Sequence, residues 1–459
     1  MNGVERKQAE SLMSRHERVS AWTRFCHQVF IILMIFGVCG DGIAIAETLT
    51  LQQRIDNASP GSVLHLPAGV YRENIVIDKP VSLVADHDAI IDAGDKGDVI
   101  RVRAPDVTIK GLVIKNSGKN LTDMNAGIFA EKNAKNLHLE NNRFDHNGFG
   151  IWLDACYGAR VIDNTIYGTP EIRSQDRGNG IHLYAVQQTL VKGNEITRTR
   201  DGIYIDSSNH NRLQGNLMYD LRYGIHYMYA YHNEVIDNVT RNTRTGYALM
   251  QSKYLTVIGN RSEADRNYGI LMNYIVHSEI AGNRVIDTEK GRAFVTGGDD
   301  VVGADGKGLF VYNAQFNRIH HNSFENADIG IHLTAGSENN AIYNNAFIGN
   351  RVQVKYVATR EQEWSWEGQG NFWSDYLGWD VNADGIGDKP YEPNDAVDKL
   401  LWKYPVARIL MSSPSIETLR WVQTQFPVFK PQGVKDSYPL MLKPDTSNIP
   451  LSLKELSER

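Results

Sequence analysis

Gly202-Ile203-Tyr204-Ile205-Asp206 and Gly224-Ile225-His226-Tyr227-Met228 stand 22 residues apart and share one pattern. A glycine opens each stretch and residues of alternating character follow. Period-two alternation rich in β-branched and aromatic residues is the mark of a strand. The opening glycine returns at Gly127, Gly150, Gly180, Gly246, Gly269, Gly308 and Gly330 as well. Fourteen residues after each of the nine glycines stands an asparagine: Asn141, Asn164, Asn194, Asn216, Asn238, Asn260, Asn283, Asn322 and Asn344. The usual step is 22 or 23 residues, and longer steps at 165–179 and 286–307 read as loops inserted between copies.

Further short strands precede and follow each asparagine, as in Leu255-Thr256-Val257-Ile258 and Val285-Ile286. Helical periodicity is missing through the repeats. Strands and tight turns in units of this length give the coils of a right-handed parallel β-helix, an all-β solenoid. A single coil cannot bury its apolar face, so the coils must stack. In-register asparagines are then expected to bond to one another along the axis.

Outside the repeats the chain falls into three parts. Arg6, Lys7, Arg15, Arg18 and Arg24 precede an apolar run at 29–38 and an Ala44-Ile45-Ala46 cleavage signal. This reads as an export signal over 1–46 with Glu47 as the mature start. An uncleaved anchor is the alternative, against which the run is short for a span. Thr48–Asp56 reads as a helix capping the first coil of a β-helix over 47–378. Residues 379–459 read as a partly helical appendage with an Asp-rich loop, amphipathic segments and an extended tail. Net charge is −6 without a basic block, which argues against nucleic acid. Cleavage would leave Cys156 as the one cysteine, so no intramolecular disulfide staples the exported chain.

Alternation places Ile225 and Tyr227 inward, and His226 and Met228 outward. Met250 holds the place of Met228 one copy later. Met272 follows 22 residues after Met250 but only three after Gly269; counted from the glycine it points inward, counted from Met250 it stays in the column, and the column reading is preferred. Coils stack roughly 4.7–4.9 Å apart, and a metal–sulfur bond is about 2.3 Å. One soft ion could bridge neighbouring thioethers, which select Cu(I) over hard cations. His226 stands beside this column, and Tyr227, Tyr229, Tyr231 and Tyr274 surround it. The same residues suit docking of a protein partner.

Asp154 and Asp206 share the column at other levels, too far apart for paired-carboxylate sugar chemistry. Asp380, Asn382, Asp384 and Asp388 match the first nine places of a calcium loop. The twelfth is Tyr391 rather than Glu, and turn formation explains the same residues.

Arg222-Tyr223-Gly224-Ile225-His226-Tyr227-Met228-Tyr229, Gly246-Tyr247-Ala248-Leu249-Met250-Gln251-Ser252 and Tyr268-Gly269-Ile270-Leu271-Met272-Asn273-Tyr274 resemble the NosD family. So does Asn371-Phe372-Trp373-Ser374-Asp375-Tyr376. NosD proteins are periplasmic maturation factors of nitrous oxide reductase, built on a pectin-lyase-like β-helix. The resemblance implies a non-enzyme that works with the ATPase NosF, the membrane subunit NosY and the copper chaperone NosL. The resemblance further implies a part in assembling the copper–sulfur centre of NosZ. The competing class is a polysaccharide lyase or C5-epimerase on the same fold, which needs a clustered acid and base that the repeats do not supply.

Overall fold

The computed structural model describes residues 49–288, 306–358, 360–394, 397–399, 404, 413–425 and 433–446. The export signal, most of the inserted segment 286–307 and the apolar segment 406–411 lie outside the described residues. The described chain from Ser62 to Trp373 is a right-handed parallel β-helix. Its strands fall into three sheets of twelve, thirteen and twelve strands. Sheet one runs from Ser62–His65 to Ala341–Tyr343, and sheet two from Gly69–Tyr71 to Phe372–Trp373. Sheet three runs from Ile75–Ile77 to Val352–Val357. Every pairing between coils is parallel and in register, as in Ile203↔Ile225 and Ile225↔Tyr247.

Alternate residues of each strand fill one continuous core, and Ile203, Ile205, Ile225, Leu249 and Leu333 are buried in it. The repeat glycines answer a steric demand. A Cβ on Gly224 would lie 2.3 Å from Thr240 Cγ2 and 2.7 Å from the Gly246 carbonyl of the next coil. At the open end, Thr50 and Gln53 form a capping box on the helix Leu51–Asn57, which buries Leu51 and Ile55 over the first coil.

The asparagine ladder forms, with a correction at two positions. Each side-chain amide donates to the next side-chain oxygen through Asn142, Asn164, Asn194, Asn216, Asn238, Asn260, Asn283, Asn322, Asn345 and Asn371, at 2.8–3.0 Å. The members are Asn142 and Asn345, not Asn141 and Asn344. From Ala130 to Leu139 and from Leu333 to Ile342 the chain takes nine residues, where Ile205 to Leu213 takes eight. The extra residue displaces the ladder by one. Asn141 and Asn344 become the left-handed turn residues before it, with φ 54° and 52°.

The ladder ends on the C-terminal segment. Asp436 Oδ2 accepts from Asn371 N at 2.7 Å, Asn371 Nδ2 at 3.3 Å and Trp373 Nε1 at 2.8 Å. Trp373 stacks on Phe347 at 4.4 Å and on Tyr391 at 4.6 Å. Residues well beyond the last coil therefore cover its end.

A second polar network lies inside the coil at Asp265, which is fully buried. It accepts from Ser262 Oγ at 2.6 Å and from Thr240 Oγ1, Thr243 Oγ1 and Thr243 N at 2.7 Å each. Burial outweighs these four donors and pushes the carboxyl up to about 6.

Two stability predictions follow from these contacts. Asn345→Ala strands buried backbone carbonyls and two ladder partners, so it should cost about 3 kcal/mol in urea unfolding. Asn344→Gly should cost under about 1 kcal/mol. Equal costs would sink the one-residue assignment. Asp265 has a folded pKa above the unfolded value of about 3.9. Its stabilising contribution is complete below about pH 4 and is lost as pH rises through 6. Asp265→Asn should therefore gain on the wild type by about 2–3 kcal/mol between pH 4 and pH 7. A pH-independent gap in unfolding free energy would contradict this.

Candidate functional site

Sheet three turns its outward residues into columns, because in-register coils superpose equivalent positions. One column reads Asp154, Tyr184, Asp206, Met228, Met250, Asn273 and Tyr312 along the axis. The two thioethers are direct neighbours on adjacent coils, both half-buried. The next column carries Trp152, His182, Tyr204, His226, Ala248 and Leu271.

His226 is held by charge. Its Nδ1 lies 3.1 Å from Asp201 Oδ2. Arg222 grips the same carboxylate with Nε at 2.8 Å and Nη2 at 2.6 Å. Burial alone would raise the Asp201 carboxyl. The hydrogen bonds from His226 and Arg222 carry it far below the usual carboxylate range instead. An ionised carboxylate only accepts, so the Nδ1 of His226 carries the proton that faces Asp201, and Nε2 is the ring nitrogen not engaged by that carboxylate. Metal-ligating imidazoles are oriented in this way. Tyr204 and Tyr223 meet the ring edge-on at 4.7 and 5.0 Å.

Two expectations are overturned here. Met272 does not join the column. It pairs with Leu249 and Val311 and is fully buried, while Asn273 takes the outward place beside Met250. The coil's additional residue falls between Asn260 and Gly269, so the strand restarts its alternation from the glycine. Tyr227 is also fully buried in the core and cannot meet a partner. Tyr229 and Tyr274 are exposed, at 48% each, and Tyr231 is half-buried.

Beside the methionines runs a feature that sequence reasoning missed. His210, His232, Tyr254, His277 and Phe316 stack ring on ring along five coils, at centroid spacings of 5.1, 4.7, 5.6 and 5.2 Å. All five are exposed turn residues. Each stands eight residues after its repeat glycine, and that constant offset was the available signal.

In the Asp-rich loop the side chains turn onto the loop's own backbone. Asp380 accepts from Asp384 N at 3.2 Å and Gly385 N at 2.8 Å, and Asp388 from Val381 N at 2.7 Å. Asn382 Nδ2 donates to Asp384 at 3.0 Å. These are turn-forming contacts of the Asx type. Among the described residues, no three His, Cys, Asp or Glu side chains converge as a metal site would require.

A family model described as "Periplasmic copper-binding protein (NosD)" matches residues 162–378. A second, described as a protein of unknown function (DUF1565), matches 42–243. The "Probable ABC transporter binding protein NosD" of Pseudomonas aeruginosa is 60% identical over 83% of this chain and 88% of its own length. Its namesake in Stutzerimonas stutzeri is 52% identical over 93% and 96%. The chain belongs to the NosD family.

Solved structures share the fold with this NosD-family chain at low identity. The Streptococcus pneumoniae surface adhesin PfbA has a TM-score of 0.54 at 10% identity, covering 66% of this chain and 93% of its own. The A-module of the Azotobacter vinelandii mannuronan C-5 epimerase AlgE6 has a TM-score of 0.54 at 13%, covering 67% and 90%. An adhesin and an epimerase on one scaffold show that the fold leaves activity open. Among the described residues of the NosD-family chain, no helix is long and apolar enough to cross a membrane.

Cys156 is free and 1% exposed, with Sγ 3.4 Å from the Glu131 carbonyl. Burial, with the Asp154 charge behind it, pushes its thiol up to about 12. Thiol labelling at pH 8 with peptide mapping should leave Cys156 unmodified in the native protein and modify it fully in urea. Rapid native labelling would refute the buried placement.

Proposed function

We propose that this chain is a non-enzymatic periplasmic accessory protein for the maturation of nitrous oxide reductase. In this reading it assists assembly of the reductase's copper–sulfur centre, with an ABC-type transporter (NosF and NosY) and the chaperone NosL as partners and NosZ as recipient. Copper is cargo here rather than a resident cofactor. The observation that carries the reading is the in-register pair Met228↔Met250 on an outward face. Two thioethers one coil apart offer a soft, weakly polar donor set suited to Cu(I). His226, whose Nδ1 is engaged by Asp201, offers Nε2 as the nitrogen donor on the same strand.

Tyr229 directly follows Met228, and the exposed rings of Tyr254, Tyr274 and Phe316 lie on the coils from Met250 onward. They supply rigid amphipathic area of the kind protein partners bury. The appendage over 379–459 is the proposed contact for the membrane subunit. A lyase or epimerase reading is weaker, because Asp154 and Asp206 are separated by Tyr184 in the register and do not converge on one reacting atom.

The test is anaerobic Cu(I) titration against a competing chelator. Met228→Leu/Met250→Leu should weaken binding by at least about tenfold, roughly 1.4 kcal/mol. Met272→Leu, a substitution inside the core, should leave affinity within about twofold. Equal affinity of the double variant and the wild type would remove the thioether pair as the copper site.

A further inference from the structure

On the outer face of sheet three, ahead of the methionine pair, lies a groove of about 460 Å³. Trp152, His182, Tyr184 and Tyr204 wall it, and Asp154 and Asp206 stand along one side. Its size is that of an ordinary ligand pocket. Trp152 stacks on His182 at 3.7 Å, and His182 meets Tyr204 edge-on at 4.7 Å. Phe129 and Trp152, which pack with Phe149 and Leu121, continue the apolar wall together with Met124.

The charges in the groove are one-sided. Asp206 accepts only neutral donors among the described residues, Ser207 Oγ at 2.7 Å and Tyr204 Oη at 3.4 Å. Among the described residues neither Asp154 nor Asp206 makes an ion pair, whereas Glu131, one coil earlier, is neutralised by Arg101 and Arg103. Arg200, whose charge reaches His182 and Tyr204, is not among the residues lining the groove. Burial pulls His182 down to about 3, so the imidazole in the wall is neutral at every physiological pH. Negative charge against aromatic walls selects a cation with apolar shoulders, by ion pairing and cation–π attraction together.

Spacing narrows the choice. Asp154 and Asp206 flank Tyr184 in the register, two coil spacings apart, which is roughly 9–10 Å. In a polyproline II segment, with three residues per turn and a rise of about 3.1 Å, side chains three residues apart share one face about 9 Å apart. We propose that this groove takes a basic segment of a partner protein in the polyproline II conformation, with one lysine or arginine on Asp154 and another, three residues on, at Asp206. The proposal does not depend on whether the methionine pair binds copper.

The test is titration calorimetry of the full protein at low salt with acetyl-Lys-Ala-Ala-Lys-amide. Binding should weaken at least tenfold in Asp154→Asn/Asp206→Asn, whose fold is checked by circular dichroism. It should also fall steeply as salt rises. Acetyl-Lys-Lys-Ala-Ala-amide, with the wrong spacing, should bind several-fold less well, and acetyl-Glu-Ala-Ala-Glu-amide not at all. Four results would each overturn the proposal. They are no heat at millimolar lysine peptide, unchanged affinity in the folded double variant, equal binding of the glutamate peptide, or tighter binding of neutral cellotetraose than of the lysine peptide.

Discussion

The asparagine ladder is the constraint on which the remaining structure depends. Each member donates its amide to the next member's oxygen and to a carbonyl of the preceding coil. Asn238 shows this, with Asn260 Oδ1 and Leu213 O both at 3.0 Å. Buried backbone groups at a sharp corner must find partners or cost one to several kcal/mol each. A side chain that satisfies its own turn and the turns above and below solves this at every coil. It also locks the coils in register. A slip of one residue would break the ladder and reverse every side chain on the following strand.

Register is what gives the outer face its chemistry. Equivalent positions superpose, so any residue type repeated at a fixed offset becomes a continuous column. The result is a face divided by level rather than by sheet. Its early coils carry the carboxylates and aromatic walls around Trp152 and His182. Its middle coils carry the thioether pair and the Asp201–Arg222–His226 cluster. The exposed ring stack from His210 to Phe316 runs beside them along the turns. Neighbouring levels can thus serve different partners on one rigid support, as solenoid surfaces commonly do.

Both ends of the stack are closed, as open sheet edges require. At the start, Glu73 accepts from the first helical amides, Leu51 N and Gln52 N. At the finish, Asp436 takes the place of the next asparagine. Burial pushes its carboxyl up to about 6, and the donors from Trp373 and Asn371 act against that rise. The C-terminal segment is therefore tied into the ladder, and whatever engages that segment has a mechanical connection to the coils.

Period, alternation and the glycine-to-asparagine offset determined the parallel β-helix, its stacking and the facing of most strand residues. These are local properties, legible because each coil repeats the same solution. They also placed Met228, Met250 and His226 on the outer face, and a constant offset of eight would have disclosed the ring stack. Only the tertiary structure decided the remainder. A turn longer by one residue moved the ladder to Asn142 and Asn345, and another returned Met272 to the core. Turn length is settled by how the chain closes between sheets; counting from Gly269 agrees with the buried Met272, whereas the glycine count picks Asn141 and Asn344 rather than their neighbours. The grip of Asp201 on His226, and a groove whose two carboxylates make no ion pair among the described residues, join residues from different coils. Such groups become neighbours only once the register is set.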